Sequence, residues 1–207
     1  MLTIYLVRHG ETQWNKENRL QGWKDSPLTD KGIKHAQLLG ERLSNINFNA
    51  VYSSPIKRAY QTAENICLGR DISIQVEENL KEINFGDWEG KTRDELQQKY
   101  KNEFDHFWNS PHKFDHKSNN GEGINDFKQR LEAALKKLTS DNLNGNILVV
   151  THAIAIKAIL TSIMNFPTEK MWDHPFIHNV SLTVIHWDGK KFEIEMLGDT
   201  SHFNVDI

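Results

Sequence analysis

Three stretches of the chain place arginine or histidine directly where an apolar run ends. "LTIYLV" leads into Arg8-His9-Gly10, "AVYSS" leads into a helical pattern carrying Arg58 on its first turn, and "ILVVT" ends in His152. Burying such side chains is costly unless they have a partner or a ligand. In an open α/β sheet, ligands bind outside the carboxyl ends of the strands, where helix N-termini also aim free N–H groups. Two arginines and two histidines converging there make a local anion site in a chain of formal net charge −3. A phosphoryl group suits it, because arginine meets phosphoryl oxygens in a bidentate fork.

The elements that must position these residues are legible from pattern. Short β-branched runs at 2–7, 50–52, 72–76 and 147–151 alternate with helical stretches. That alternation predicts an α/β three-layer sandwich, a mostly parallel central sheet with helices on both faces. Thr29 is a candidate helix N-cap, with Ile33, Ala36, Leu39 and Leu43 on one face. Ser54 is a second candidate cap, with Pro55 at the first helical position. Thr92 and Glu95 stand at capping-box spacing, and Ile124, Phe127, Leu131, Ala134, Leu135 and Leu138 form one stripe. Two alternating runs around Asp188-Gly189 predict an antiparallel edge hairpin, which could pair with a second copy into a homodimer. The stretch 100–123 has weak periodicity and is rich in Asn, His, Lys and aromatics. It reads as part of a lid-like helical or loop insertion around 92–123 within a single domain spanning 1–207.

Composition narrows the function classes. At 207 residues, with 38% hydrophobic and 26% charged residues, the chain suits one sizeable globular domain. A pI of about 6.4 offers no basic field for nucleic acid or an acidic membrane. No apolar run approaches the roughly 20 residues that span a bilayer, and no signal-peptide pattern opens the chain. The one cysteine, Cys67, falls in a helical pattern and reads as a small buried apolar residue. A cytoplasmic location is expected, since a lone cysteine needs no oxidising compartment. No CxxC or HExxH pattern accompanies the ten histidines, so neither a metal nor another cofactor is expected. His112 and His116 are four apart, but Pro111 argues against a helical face for them.

The opening "LVRHGETQWN" resembles the start of the histidine phosphatase superfamily, in the branch with cofactor-dependent phosphoglycerate mutases and related phosphatases. "SSPIKRAYQTA", "LKEINFGDWEG" and "VTHAIAIKAIL" resemble its later motifs, in order. The resemblance implies that His9 attacks phosphorus and becomes phosphohistidine, its other ring nitrogen held by a backbone carbonyl. It implies that Arg8, Arg58, Asn15 and His152 clamp the phosphoryl oxygens and that Glu82 is the proton carrier. Gln21 and Gly22 fall where the family contacts substrate beyond the phosphate, and Asn179 is a further pocket candidate. Ala153 replaces a common glycine but keeps its backbone amide for phosphate. Trp23, Phe85 and Trp88 read either as pocket walls or as core, and Lys157 is given no catalytic role.

A mutase of this branch carries an arginine pair after a tryptophan, whereas here Asn109 and Ser110 follow Trp108. The passage after "KEINFG" is also compact, so the resemblance favours a phosphatase acting on a small phosphorylated metabolite. The alternatives are a cofactor-dependent phosphoglycerate mutase and a phosphoprotein phosphatase.

Overall fold

The computed structural model describes residues 1–203, so the last four residues of the expected 1–207 domain lie outside the described residues. Six strands form one sheet: β1 (Leu2–Arg8), β2 (Ala50–Ser53), β3 (Ile74–Val76), β4 (Gly145–Thr151), β5 (Leu182–Trp187) and β6 (Phe192–Asp199). Their order is β3-β2-β4-β1-β5-β6, with β1, β2, β3 and β4 parallel and β5 and β6 antiparallel at one edge. This is the expected mixed α/β sheet, with the hairpin turn at Asp188-Gly189.

Successive residues of the central strands serve opposite faces of the sheet. Ile147 and Val149 of β4 join one apolar cluster, while Leu148 and Val150 join the other. Burial on both faces explains why these strands read as unbroken apolar runs rather than as alternation. Helices α1 (Gln13–Lys16), α2 (Asp30–Arg42) and α3 (Lys57–Ile66) follow β1 and β2. Ala36 and Leu39 of α2 and Ala59 and Ala63 of α3 cover one face. Helices α4 (Arg93–Lys99), α5 (Lys101–Asn109), α6 (Ile124–Asp141) and α7 (Ala153–Ile163) complete the set, and the predicted stripe of α6 packs with α7 on the other face.

Two of the three predicted caps form. Thr29 accepts from Gly32 N, and Thr92 with Glu95 makes a reciprocal capping box. Ser54 does not cap α3, whose N-cap is Ile56 without a side-chain bond. The Ser54 hydroxyl is bonded to His152, and its oxygen also accepts the Ile56 amide ahead of the helix at 3.3 Å. Cys67 is buried just past the end of α3 rather than inside it.

The 100–123 stretch is mostly helical and firmly packed. The fully buried ring of Trp88 meets Phe104, Phe107 and Phe114 edge-on or tilted, at centroid distances of 5.6–6.2 Å. Burying several aromatic rings together stabilises the segment by area and by ring geometry. Its apolar residues anchor it, which the weak periodicity did not reveal. No helix among the described residues is long and apolar enough to cross a membrane.

Candidate active site

Strand register brings the two histidines together. Arg8 pairs with Thr151 across β1 and β4, so His9 and His152 leave adjacent strand ends side by side, ring centroids 5.2 Å apart. Ser53 of β2 pairs with Val150, which carries Ser54 to the other side of His152, at 2.8 Å from Nε2. A glycine must follow His9. A Cβ on Gly10 would lie 2.9 Å from the Gly32 carbonyl oxygen, where the start of α2 crosses.

His9 is buried, and its Nδ1 lies 2.8 Å from the Gly10 carbonyl oxygen. A carbonyl only accepts, so Nδ1 carries the proton and Nε2 keeps a free lone pair. Burial, then the charges of Arg58 and Arg8, hold the His9 pKa well below its ordinary value. Burial, Arg58 and His9 do the same to His152. Both rings are therefore neutral at neutral pH.

The two arginines are held by carbonyls that leave one edge of each free. Arg8 Nη1 donates to Ile177 O at 2.7 Å. Arg58 donates to Gly22 O at 2.7 Å, to Lys24 O at 2.8 Å and to the Asp25 carboxylate at 3.2 Å. Arg8 Nε, Arg58 Nε and His152 Nδ1 are buried with no protein partner. Burial, with Arg58 and Arg93 nearby, pulls the Arg8 pKa down to about 10. Crowded, desolvated cations of this kind favour an oxyanion between them.

Glu82 is buried, and its carboxylate accepts from the amides of Ile83, Ile154 and Ala155, each at 3.1 Å. Burial pushes its pKa up, against the opposing pull of those amides and of Arg58 and Arg8. Asn15 is oriented by its oxygen, which takes Thr12 N at 3.1 Å and Asn179 Nδ2 at 3.2 Å and leaves the amide nitrogen for a ligand. Asn179 Nδ2 also donates to His9 O at 3.1 Å.

A cavity of about 570 Å³ opens on this cluster. Arg8, His9, Asn15, Gln21, Gly22, Arg58, Glu82, Ala153 and Asn179 all line it; His152 is not among the lining residues, its ring centroid 5.2 Å from that of His9. Phe85 is a wall residue, Trp88 is core, and Trp23 is outside the lining, its indole donating to Glu82 O at 2.9 Å. Among the described residues no group of three or more His, Cys, Asp or Glu could hold a metal ion. The arrangement can seat a tetrahedral oxyanion against a neutral imidazole, with a carboxyl group beside it.

Residues 4–200 match the histidine phosphatase superfamily (branch 1). The chain belongs to this family. It is 31% identical over 202 residues to "Phosphoserine phosphatase 1" of Hydrogenobacter thermophilus, covering 98% of this chain and 94% of that protein. It is also 31% identical over 212 residues to "Probable phosphoglycerate mutase GpmB" of Salmonella arizonae, covering 99% of this chain and 96% of the relative. Among solved structures, Bacillus stearothermophilus YhfR superposes with a TM-score of 0.94 at 42% identity, covering 98% of this chain and 99% of that one.

Four residues that shape this histidine phosphatase site escaped the sequence reading. Ser54 fixes His152, as described. Glu89 is buried and accepts from Trp23 N at 2.8 Å, Lys24 N at 2.9 Å and Phe85 N at 3.1 Å, holding the turn whose carbonyls grip Arg58. Arg130 on α6 donates to Asn79 O, Lys81 O and Glu82 O at 2.8–2.9 Å and forks onto Glu122. Arg93, at the start of α4, lines the outer cavity. The sole signal for Glu89 was its place in the "GDWEG" motif. Arg130 and Arg93 lie on polar helix faces that look like any solvated surface.

Proposed function

We propose that the chain is a metal-independent phosphomonoester hydrolase acting on small phosphorylated metabolites through a phosphohistidine on His9. The observation that carries this reading is the set of buried, unpartnered nitrogens near His9: Arg8 Nε, Arg58 Nε and His152 Nδ1. Desolvated N–H groups are worth most where charge redistributes in the transition state.

His9 Nε2 attacks phosphorus, the ester P–O bond breaks, and protonated Glu82 gives its proton to the leaving oxygen. Water then attacks the phosphohistidine, Glu82 takes the water proton, and the P–N bond breaks to release inorganic phosphate. His9 returns neutral. Splitting the displacement in two lets one carboxyl serve as acid and then as base. Arg8, Arg58, Asn15 and His152 hold the phosphoryl oxygens through both steps.

The test is phosphate release from a panel of phosphomonoesters with a chelator present, together with mass spectrometry of rapidly quenched enzyme. Turnover in chelator and a phosphoryl group on the His9 peptide are expected. A phosphorylated His9 with no phosphate release would favour the mutase reading. Phosphate release only from phosphorylated protein would favour the phosphoprotein reading.

A further inference from the structure

The two imidazoles at the strand ends are met by different kinds of group. Nδ1 of His9 lies against a carbonyl oxygen, which fixes its proton there. Nε2 of His152 lies 2.8 Å from the Ser54 hydroxyl oxygen, a group that can either donate or accept. Which of the two it does decides which nitrogen carries the His152 proton.

Counting donors settles the choice. Ser54 and His152 are both at 0% exposure, so a polar hydrogen left over between them cannot turn to bulk water. The Ser54 oxygen already accepts the Ile56 amide at 3.3 Å, and among the described residues its hydroxyl hydrogen has no acceptor other than His152. If Nε2 carried the proton, the oxygen would accept from two N–H groups and the hydroxyl hydrogen would be stranded. A buried donor without an acceptor is the costly case. With the hydroxyl donating to Nε2, one polar atom of the pair is left over. That atom is Nδ1, buried with no protein partner. Burial and the charge of Arg58 keep His152 neutral, so it has a single N–H to place.

We propose that Ser54 is a positioning residue whose hydroxyl donates to His152 Nε2 and so places the ring proton on Nδ1, as a donor to the phosphoryl group. The role of that donor rests on the phosphomonoester reading of the site; the tautomer does not. The opposite tautomer would give Nδ1 a lone pair, which repels an oxyanion instead of holding it. Two adjacent rings thus carry the proton on the same nitrogen for opposite uses. His9 keeps a lone pair for attack, and His152 offers an N–H.

NMR of the protein labelled with ¹⁵N in its histidine rings reads the tautomer directly, since protonated and bare nitrogens differ widely in shift. The His152 signals are assigned by their loss in His152→Asn. At neutral pH the wild type should show Nδ1 protonated and Nε2 bare. In Ser54→Ala, Nε2 loses its donor, and the signals should move to a mixture of tautomers or to protonated Nε2. There kcat should fall about tenfold for alkyl and aryl phosphates alike, short of the 10²–10³-fold cost of losing an oxyanion donor outright. A wild type protonated on Nε2 overturns the proposal, as does a Ser54→Ala protein whose His152 tautomer is unchanged. A loss confined to alkyl phosphates would place the effect on Glu82 and overturn it too. If Ser54→Ala does not fold, Ser54→Cys, whose thiol is only a weak donor, is judged by the same criteria. A wild type that hydrolyses no phosphomonoester sinks the phosphatase reading alone, and the spectra still decide the role of Ser54.

Discussion

The carboxylate of Glu82 accepts the backbone amide of Ala155 at 3.1 Å, which fastens it to the first turn of the helix that His152 caps. The Ile154 amide takes its other oxygen at the same distance. A group so held, with burial raising its pKa, is suited to deliver a proton from a fixed position. In Glu82→Gln the proton is gone. Hydrolysis of an alkyl phosphate should fall by about 10²–10⁴-fold, the usual worth of general acid catalysis. An aryl phosphate such as p-nitrophenyl phosphate, whose leaving anion is already stable, should lose much less. Equal losses with both substrates would remove Glu82 from that role.

On the proposed mechanism, the opposite shifts of His9 and Glu82 set the shape of the pH profile. His9 must be neutral to attack, and its pKa is held well below the ordinary histidine value. Activity should persist on acidification past the normal imidazole range, until His9 takes up a proton. Glu82 must be protonated, so kcat/KM for an alkyl phosphate should fall as pH rises through its elevated pKa. In Glu82→Gln that alkaline limb should vanish on the same substrate. An acid limb centred in the ordinary histidine range would contradict a neutral, buried His9.

Neutral burial also ties His9 and His152 to stability. Below the unfolded histidine pKa of about 6.5, the unfolded chain binds protons that the folded chain refuses, so stability is lost as pH falls. The loss continues down to the lowered folded values. Urea unfolding followed from neutral pH to about pH 5 should show this decline. His152→Asn, which removes one of the two groups, should flatten part of it. A slope unaffected by the substitution would place the proton uptake elsewhere.

The charge of Arg58 bears on Arg8 in a desolvated site, and two cations so placed raise the local positive potential, which favours an anion. An oxyanion between them should stabilise the fold by mass action, about 2.7 kcal/mol at a hundredfold excess over Kd. Orthovanadate or phosphate should raise the wild-type Tm progressively with concentration. Arg58→Ala should blunt that rise, because Arg58 supplies one of the unpartnered edges. A similar rise in both proteins would mean that the anion binds outside this cluster.

The sheet and the inner site were legible because both follow from strong local signals. Unbroken apolar strands ending in Arg8, His9 and His152 fixed which residues lie at the carboxyl edge, and register then brought them together. Ser54 was half read, because its oxygen does accept the Ile56 amide just ahead of α3, but its partner in the site lies 98 residues away. Glu89, Arg93 and Arg130 were missed for a related reason. A charged residue on a helix or turn gains its meaning from the backbone carbonyls, amides or rings that tertiary packing sets against it, and no local pattern records those. The 100–123 stretch hid its packing because Phe104 and Phe107 come from a helix and Phe114 from the end of a short turn rather than from one periodic face.

Arg130 gives the sharpest test of such a long-range contact. Its side chain is mostly buried, donates to the carbonyls of Asn79, Lys81 and Glu82, and pairs with Glu122 at 2.6 Å. Glu122 in turn accepts from Asn84 N at 3.2 Å, so one ion pair clamps the chain on both sides of Glu82. In Arg130→Met three carbonyls lose a donor and Glu122 is left as an unpaired, mostly buried carboxylate. Removing one partner of a buried pair costs about 3–5 kcal/mol, to be read from urea unfolding. The loosened Glu82 should also lower kcat for alkyl phosphates more than for aryl ones, because only the former need the proton. Glu122→Gln keeps a neutral acceptor for Arg130 and should show a smaller change of the same kind. A stability loss with no leaving-group dependence would make Arg130 a purely architectural residue, with Glu82 held by Ile154 and Ala155 alone.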